Sequence, residues 1–137
     1  MHSIQQRSVS IPNGWSVFMP IINWIYALEG KEKDEEENIR KLAMERMDEA
    51  ANLRFSINGK AVSFNLSNFR AQSVVPDIVL PDDNIFDMKP GATSIVADGF
   101  WVFFQPLVKD LTLETYGSCQ SGIIQISGNY HITISKI

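Results

Sequence analysis

The sequence predicts that residues 1–137 form a single, mainly β domain: an antiparallel β-sandwich of the jelly-roll type, with one amphipathic helix at about residues 31–52 packed on it. Three observations support this prediction. Apolar and polar residues alternate along 124–134, the period of two that is typical of a strand with one buried face. Asn58-Gly59 joins two further alternating segments, as in a tight hairpin. Short strand patterns separated by turn residues recur along the rest of the chain, as they do in sandwiches.

The N-terminal segment is predicted to form a β-hairpin. Residues 9–11 alternate, Pro12-Asn13-Gly14 has turn chemistry, and residues 15–19 resume an alternating apolar face. Pro20 should end or distort the second strand, because proline cannot donate to a sheet ladder. Residues 21–30 are then expected to be an apolar connector.

Residues 31–52 have the composition of a helix, rich in strong helix formers and free of Pro and Gly. Their apolar residues recur at three- and four-residue spacing and form one stripe: Ile39, Leu42, Ala43, Met47 and Ala50. The acidic run Asp34–Glu37 lies near the helix start, where the macrodipole favours negative charge. Asn52 is the expected end, since Asn tolerates the left-handed conformation of a C-cap.

The clearest local signal is the hairpin around Asn58-Gly59. This dipeptide accepts a positive φ at both central positions of a type I′ turn. With it as the loop, Ile57 lies opposite Lys60, and the apolar pairs Phe55–Val62 and Leu53–Phe64 face each other on the same side of the two strands. A slip of one residue would destroy this agreement.

Strands are also predicted at 69–75, 77–80, 93–97 and 100–104, with Asp98-Gly99 as a turn before the last of them. Residues 100–104 are apolar throughout, so this strand should be central and covered on both faces. The second cover is expected from the 36–52 helix or from Trp15–Trp24. Trp101 and Phe103 should therefore lie beneath elements that precede Leu53.

Composition excludes several functional classes. A net charge of −4 without a Lys/Arg cluster argues against a nucleic-acid partner. Cys119 is the only cysteine, so one chain can form neither a disulfide nor a thiolate metal site. The apolar stretch Trp15–Leu28 is too short to span a bilayer. No secretory signal is recognisable, so the chain as written is expected in the cytoplasm, and its localisation is otherwise left open.

The sequence also carries a series of short motifs. They are Ala97–Val102, Gln105–Leu107 and Tyr130–Thr133, and upstream Ser10–Gly14, Met19–Asn23, Leu53–Lys60 and Leu80–Phe86. Together these resemble a group of uncharacterised, mostly secreted bacterial and archaeal β-sandwich proteins with a (Ser/Ala)-Asp-Gly-(Tyr/Phe)-Trp-Val…Pro-Leu…Tyr-His-x-Thr pattern. Those proteins carry an export segment, and Pro-Gly-x-His where this chain has Val108–Leu111. The resemblance implies a sandwich but no activity, so it implies no catalytic residue.

His131 and Asp98 are the candidates for a site built on side-chain chemistry. A hydrolase would need Asp98 or Asp110 to orient His131, and a serine on a strained elbow. The sequence has no Gly-x-Ser-x-Gly motif to supply that serine. We expect neither a carboxylate bonded to His131 nor a serine beside it.

The loop with Asp82, Asp83, Asn84 and Asp87 gathers oxygen atoms, the ligand type that Ca²⁺ prefers. It lacks the spacing of an EF-hand loop, and such residues commonly bond their own backbone. The loop is a candidate for ligand binding, with no metal and no cofactor expected.

The sequence therefore favours a non-catalytic module that binds an unknown protein or small ligand. Two alternatives stay open. One is a hydrolase that uses His131, and the other is a self-assembling homo-oligomer that pairs strand edges or its Trp/Phe surface. Trp15, Trp24 and Trp101 could stack on sugars if they were exposed, although core packing is the stronger interpretation.

Overall fold

The computed structural model describes residues 2–28, 33–63 and 65–135. The elements are, in chain order, β1 (His2–Pro12), β2 (Val17–Leu28), α1 (Lys33–Asp48), β3 (Ala51–Ile57), β4 (Lys60–Ala61), a 3-10 helix (Leu66–Phe69), β5 (Arg70–Gln72), β6 (Asp77–Leu80), β7 (Gly91–Phe104), β8 (Leu111–Cys119) and β9 (Ile124–Ser135). The mainly β fold with one helix is thus confirmed.

The strands form two sheets. The first has the order β1-β9-β8-β3-β4, and the second has the order β2-β7-β5, with β6 also paired to β7. Both contribute to one core, whose buried residues are Met19, Ile21, Ile22, Met47, Phe55, Phe100, Val102, Leu113, Cys119 and Ile132. This arrangement is sandwich-like, as predicted, while the jelly-roll connectivity stays a prediction. The alternation along 124–134 is also confirmed, since Ile132 is buried between the exposed His131 and Thr133.

The predicted N-terminal hairpin is wrong, because β1 and β2 belong to different sheets. Strand β1 pairs with β9 in parallel, so the sheets are not purely antiparallel, and β2 pairs antiparallel with β7. The turn between β1 and β2 is hydrogen-bonded to the loop that follows β7. Gly14 N donates to Leu107 O at 2.9 Å, and Leu107 N donates to Trp15 O at 3.0 Å. The turn therefore carries the chain from one sheet to the other.

Strand β2 does not end at Pro20. The register with β7 shifts between Pro20 and Ile22, which marks a bulge, and pairing continues to Leu28. The expected connector 21–30 is therefore strand as far as residue 28, and residues 29 and 30 lie outside the described part. Proline is tolerated at this bulge because β2 is an edge strand of the sheet that the described residues form.

The Asn58-Gly59 hairpin is confirmed. Both residues have positive φ, 50° and 79°. Ile57 lies opposite Lys60, and Val62 N donates to Phe55 O at 2.8 Å, in the predicted register. The predicted pairing of Phe64 lies outside the described residues.

The turn predicted at Asp98-Gly99 is wrong, since both residues lie inside the continuous strand β7. Gly99 is needed for close packing rather than for a turn. A Cβ at this position would lie 2.6 Å from Ile22 O and 2.7 Å from Asn23 Cβ. The glycine lets β2 approach β7 at the bulge. The strand predicted at 69–75 is also shorter, covering only Arg70–Gln72.

Helix α1 ends at Asp48, before the expected Asn52. Asn52 does adopt a positive φ of 55°, but within β3, where pairing with β8 shifts register. The buried stripe is confirmed at Ile39, Ala43 and Met47, whereas Leu42 is exposed. Ile39 and Ala43 pack with Leu28 and Val96. The helix therefore covers the inner face of β2 and β7 around Leu28 and Val96.

Candidate functional site

Asp98 lies on β7 and points toward the helix. Its side chain is only 2% exposed. The carboxylate accepts hydrogen bonds from Arg70 Nε at 2.5 Å, Arg70 Nη2 at 3.2 Å and Gln72 Nε2 at 3.0 Å. The hydrogen bond to Asp98 raises the pKa of Arg70 above its ordinary value. All three donor atoms come from β5, so the carboxylate ties the short edge strand to β7.

The same network reaches the helix. Arg70 Nη1 contacts Asp48 Oδ1 at 3.0 Å, and Arg70 Nη2 donates to Met44 O at 3.1 Å. Arg40 Nη1 donates to Gln72 Oε1 at 3.0 Å, and Gln72 Nε2 to Arg40 O at 2.8 Å. This network fastens α1 to the second sheet, so Asp98 has a structural role.

His131 lies on the outer face of the first sheet, away from Asp98. Its Nδ1 is 3.4 Å from Thr112 Oγ1 on β8. Ser8 lies directly opposite His131 on β1, so the expectation that no serine lies beside it is wrong. The two line a groove of about 330 Å³ with Gln6, Arg7 and Asn129. The structure does not bring His131 and Asp98 together.

The 82–87 loop is organised by Asn84. Its Nδ2 donates to Pro81 O at 3.0 Å and Met88 O at 2.8 Å, while its Oδ1 accepts from Phe86 N and Met88 N at 3.1 and 3.2 Å. Asn84 thus folds its own loop. The exposed side chains nearby are Asp82, Asp83 and Asp87. Across the described ranges, no group of three or more His, Cys, Asp or Glu side chains is placed to hold a metal ion.

A cluster of aromatic side chains lies on the outer face of the second sheet. It is formed by Phe18 on β2 with Trp101 and Phe103 on β7, here called the aromatic patch. Phe18 is 62% and Phe103 66% exposed. Phe18 lies opposite Phe103 in the ladder and stacks on Trp101, with ring centroids 5.3 Å apart and ring planes 12° apart. The expectation that Phe103 is covered is therefore wrong, whereas Trp101 is half-buried and its ring is partly covered by Phe18 of β2.

The alternation of β7 explains this exposure. Phe100 and Val102 face the core, so Trp101 and Phe103 must point to the opposite face. The helix covers the inner face of this sheet instead. Trp101 Nε1 donates to Ala71 O at 3.0 Å, so its polar atom is already satisfied by β5. The exposed part of the patch is therefore mainly apolar.

The end of the sheet next to the patch carries more exposed apolar residues. Trp15 and Val108 are 61% and 67% exposed, and Trp15 O accepts a hydrogen bond from Leu107 N in the loop after β7. Trp24 is different, because its ring lies 4.8 Å below the guanidinium of Arg46 on the helix. The three tryptophans therefore do not form one platform.

Comparison of the chain with protein-family models, characterised proteins and solved structures found no match. The described segments also contain no helix with the length and hydrophobicity needed to cross a membrane. The resemblance described above therefore stays a prediction.

Proposed function

We propose that this protein is a non-catalytic interaction module that docks an apolar segment of another protein on the aromatic patch. The observation that carries the proposal is the exposure of Phe18 and Phe103 beside the stacked ring of Trp101. Large aromatic side chains are among the surface residues that contribute most to the binding energy of protein–protein interfaces. Their clustering on one sheet face is therefore best explained by a partner.

The patch is organised before binding. Its three residues lie on two paired strands, so their backbone is held by the β2–β7 ladder. The ring stack and the Trp101–Ala71 hydrogen bond further restrict the side chains. Preorganised aromatic residues lose little conformational entropy on binding, which favours affinity.

An apolar protein segment fits this surface better than a sugar. Sugar recognition needs hydrogen-bonding side chains placed around the stacked ring, because sugar hydroxyls lose water on binding. Trp101 instead lies opposite Pro20 and next to Ala71, and its Nε1 is occupied. The chemistry of the patch therefore favours contacts with apolar side chains.

The hydrolase alternative lacks a comparable observation. His131 contacts Thr112 on one sheet, and Asp98 is engaged by Arg70 on the other. A general base must lie within hydrogen-bond reach of its proton and be held by a second group. The separation of these side chains therefore favours binding over catalysis.

The proposal is tested first by crosslinking in the native cell. A photoreactive phenylalanine analogue replaces Phe103, and in a matched control it replaces Val79, which is 78% exposed. Val79 pairs with Ala92, which is about 36 Å from Phe103 along β7 at the usual rise per residue. We expect another protein to be captured from position 103 and not from position 79.

The captured protein is then purified and titrated calorimetrically against the intact chain. Phe103→Ser and Phe18→Ser should each weaken binding by at least about 10-fold, the effect of losing one well-buried aromatic contact. Val79→Ser should leave the affinity unchanged. Equal affinity in all variants would contradict the proposal. Capture of a second copy alone would replace it with self-assembly through the same patch.

A further inference from the structure

The two sheets differ in how their edges are protected. Exposed edges attract added strands unless they are short, bulged or interrupted by proline or charge. Strand β4 has two residues, and β5 and β6 have three and four. Strand β2 is long, but it carries Pro20 and a bulge. Among the described strands, these edges all have a feature that discourages pairing.

Strand β1 is the exception. It spans His2–Pro12 and pairs with β9 in one register over its whole length, without a bulge. None of the strands in the described part of the chain pairs with its opposite edge. Within it, Arg7 is the only Lys, Arg, Asp or Glu, and proline occurs only at the last position. Residues 3–10 are all exposed. The free side of β1 is thus a regular, open template for another strand.

We propose that this edge binds a second copy of the chain, β1 to β1 and antiparallel, across a two-fold axis. Such pairing would join two five-stranded sheets into one. It uses the open edge of both copies and leaves the two-residue β4 at each outer end. Assembly would therefore stop at a dimer instead of continuing into a filament. The aromatic patch, on the other sheet, remains free for its partner.

The charges of β1 select the register. A pairing centred on Arg7 would place two arginines directly opposite each other, which is destabilising. A pairing centred on Gln6 places Gln6 opposite Gln6, Arg7 opposite the neutral Gln5, and Ile4 opposite Ser8. Every facing pair then avoids like charge. A pairing centred on Ser8 avoids it as well, but it places Pro12, which has no N–H to donate, opposite Ile4, so the register centred on Gln6 is preferred.

Sedimentation velocity over a range of concentrations tests the proposal, using the intact chain at low ionic strength, where charge effects are largest. Gln6→Lys and Gln6→Glu each place like charges opposite each other at the two-fold axis. Each should weaken the dimer by about 2- to 5-fold, the upper range for a cross-strand charge effect. An equimolar mixture of the two variants should restore association as a heterodimer. Thr133→Lys, on the same sheet but on β9, should dimerise like the unmodified chain.

Three results would overturn the inference. The unmodified chain could stay monomeric at every concentration, or its dimer could be insensitive to both charges at Gln6. The third is a dimer that is lost in Phe18→Ser and Phe103→Ser but retained in the Gln6 variants. That result would place self-association at the aromatic patch, so it distinguishes the two surfaces.

Discussion

Removing either partner of the Asp98–Arg70 ion pair should destabilise the fold by unequal amounts. Asp98→Ala removes the acceptor of three hydrogen bonds, at 2.5, 3.2 and 3.0 Å. Breaking a buried ion pair in this way costs about 3–5 kcal/mol. The side chain of Arg70 is 23% exposed and keeps its contact with Asp48. Water can therefore partly solvate it, and we expect about 3 kcal/mol for Asp98→Ala.

Arg70→Ala should cost more, about 4–5 kcal/mol at neutral pH. It leaves the Asp98 carboxylate, which is 2% exposed in the unmodified chain, with Gln72 as its remaining donor. A buried charge without its counter-ion is the more costly state. The double variant should cost less than the sum of the two single changes, because both remove the same interaction.

Urea unfolding at equilibrium measures these differences. Asp82→Ala, in an exposed loop, is the control and should change the free energy of unfolding by less than about 0.5 kcal/mol. A free energy of unfolding for Asp98→Ala equal to that of this control would contradict a stabilising ion pair. A larger loss for Asp98→Ala than for Arg70→Ala would contradict the higher cost of the unpaired carboxylate.

Three further predictions follow from local geometry. Gly59→Val should lower stability by about 1 kcal/mol or more, because Gly59 has a φ of 79° that β-branched residues resist; an unchanged melting temperature would contradict the type I′ turn. Gly99→Ala should lower the free energy of unfolding in urea by about 1–3 kcal/mol, because the Cβ of the new alanine would lie 2.6 Å from Ile22 O. An unchanged free energy of unfolding would show that β2 does not approach β7 so closely. Burial raises the pKa of the Cys119 thiol, so its reaction with a disulfide reagent at pH 8 should be slow in the folded chain and fast after unfolding. Rapid labelling of the folded chain would argue against burial of Cys119. Because the thiol pKa is raised in the folded state, the free energy of unfolding should be highest below the ordinary thiol pKa and should decline as the pH rises through the raised pKa.

The elements that were predictable are those whose signal is local. Strand β9 alternates along its own length, and Asn58-Gly59 specifies both a turn and the register on either side of it. The predictions are wrong where the structure of a segment depends on which strand it pairs with. The alternation of β1 suits pairing with any strand, and only the fold sends it to β9. Asp98-Gly99 has the composition of a turn, but the close approach of β2 requires glycine within a strand.

The candidate site was only partly predictable for the same reason. The apolar strand at 100–104 was recognisable, but its sequence does not show which face the helix covers. Asp98 was recognised as a candidate, whereas its partner Arg70 lies 28 residues away and has no local motif to mark it. The aromatic patch depends on the long β2–β7 pairing, which places Phe18 opposite Phe103.

The aromatic patch should be exposed to solvent in the free chain and covered when the protein partner is bound. Hydroxyl-radical footprinting measures this directly, because the oxidation rate of a side chain follows its solvent exposure. In the free chain, we expect Phe18 and Phe103 to be oxidised rapidly, and the buried Phe55 slowly. With saturating partner, oxidation of Phe18 and Phe103 should fall toward that of Phe55, while Val79 stays unchanged. Unchanged oxidation of both patch residues in the saturated complex would contradict the account.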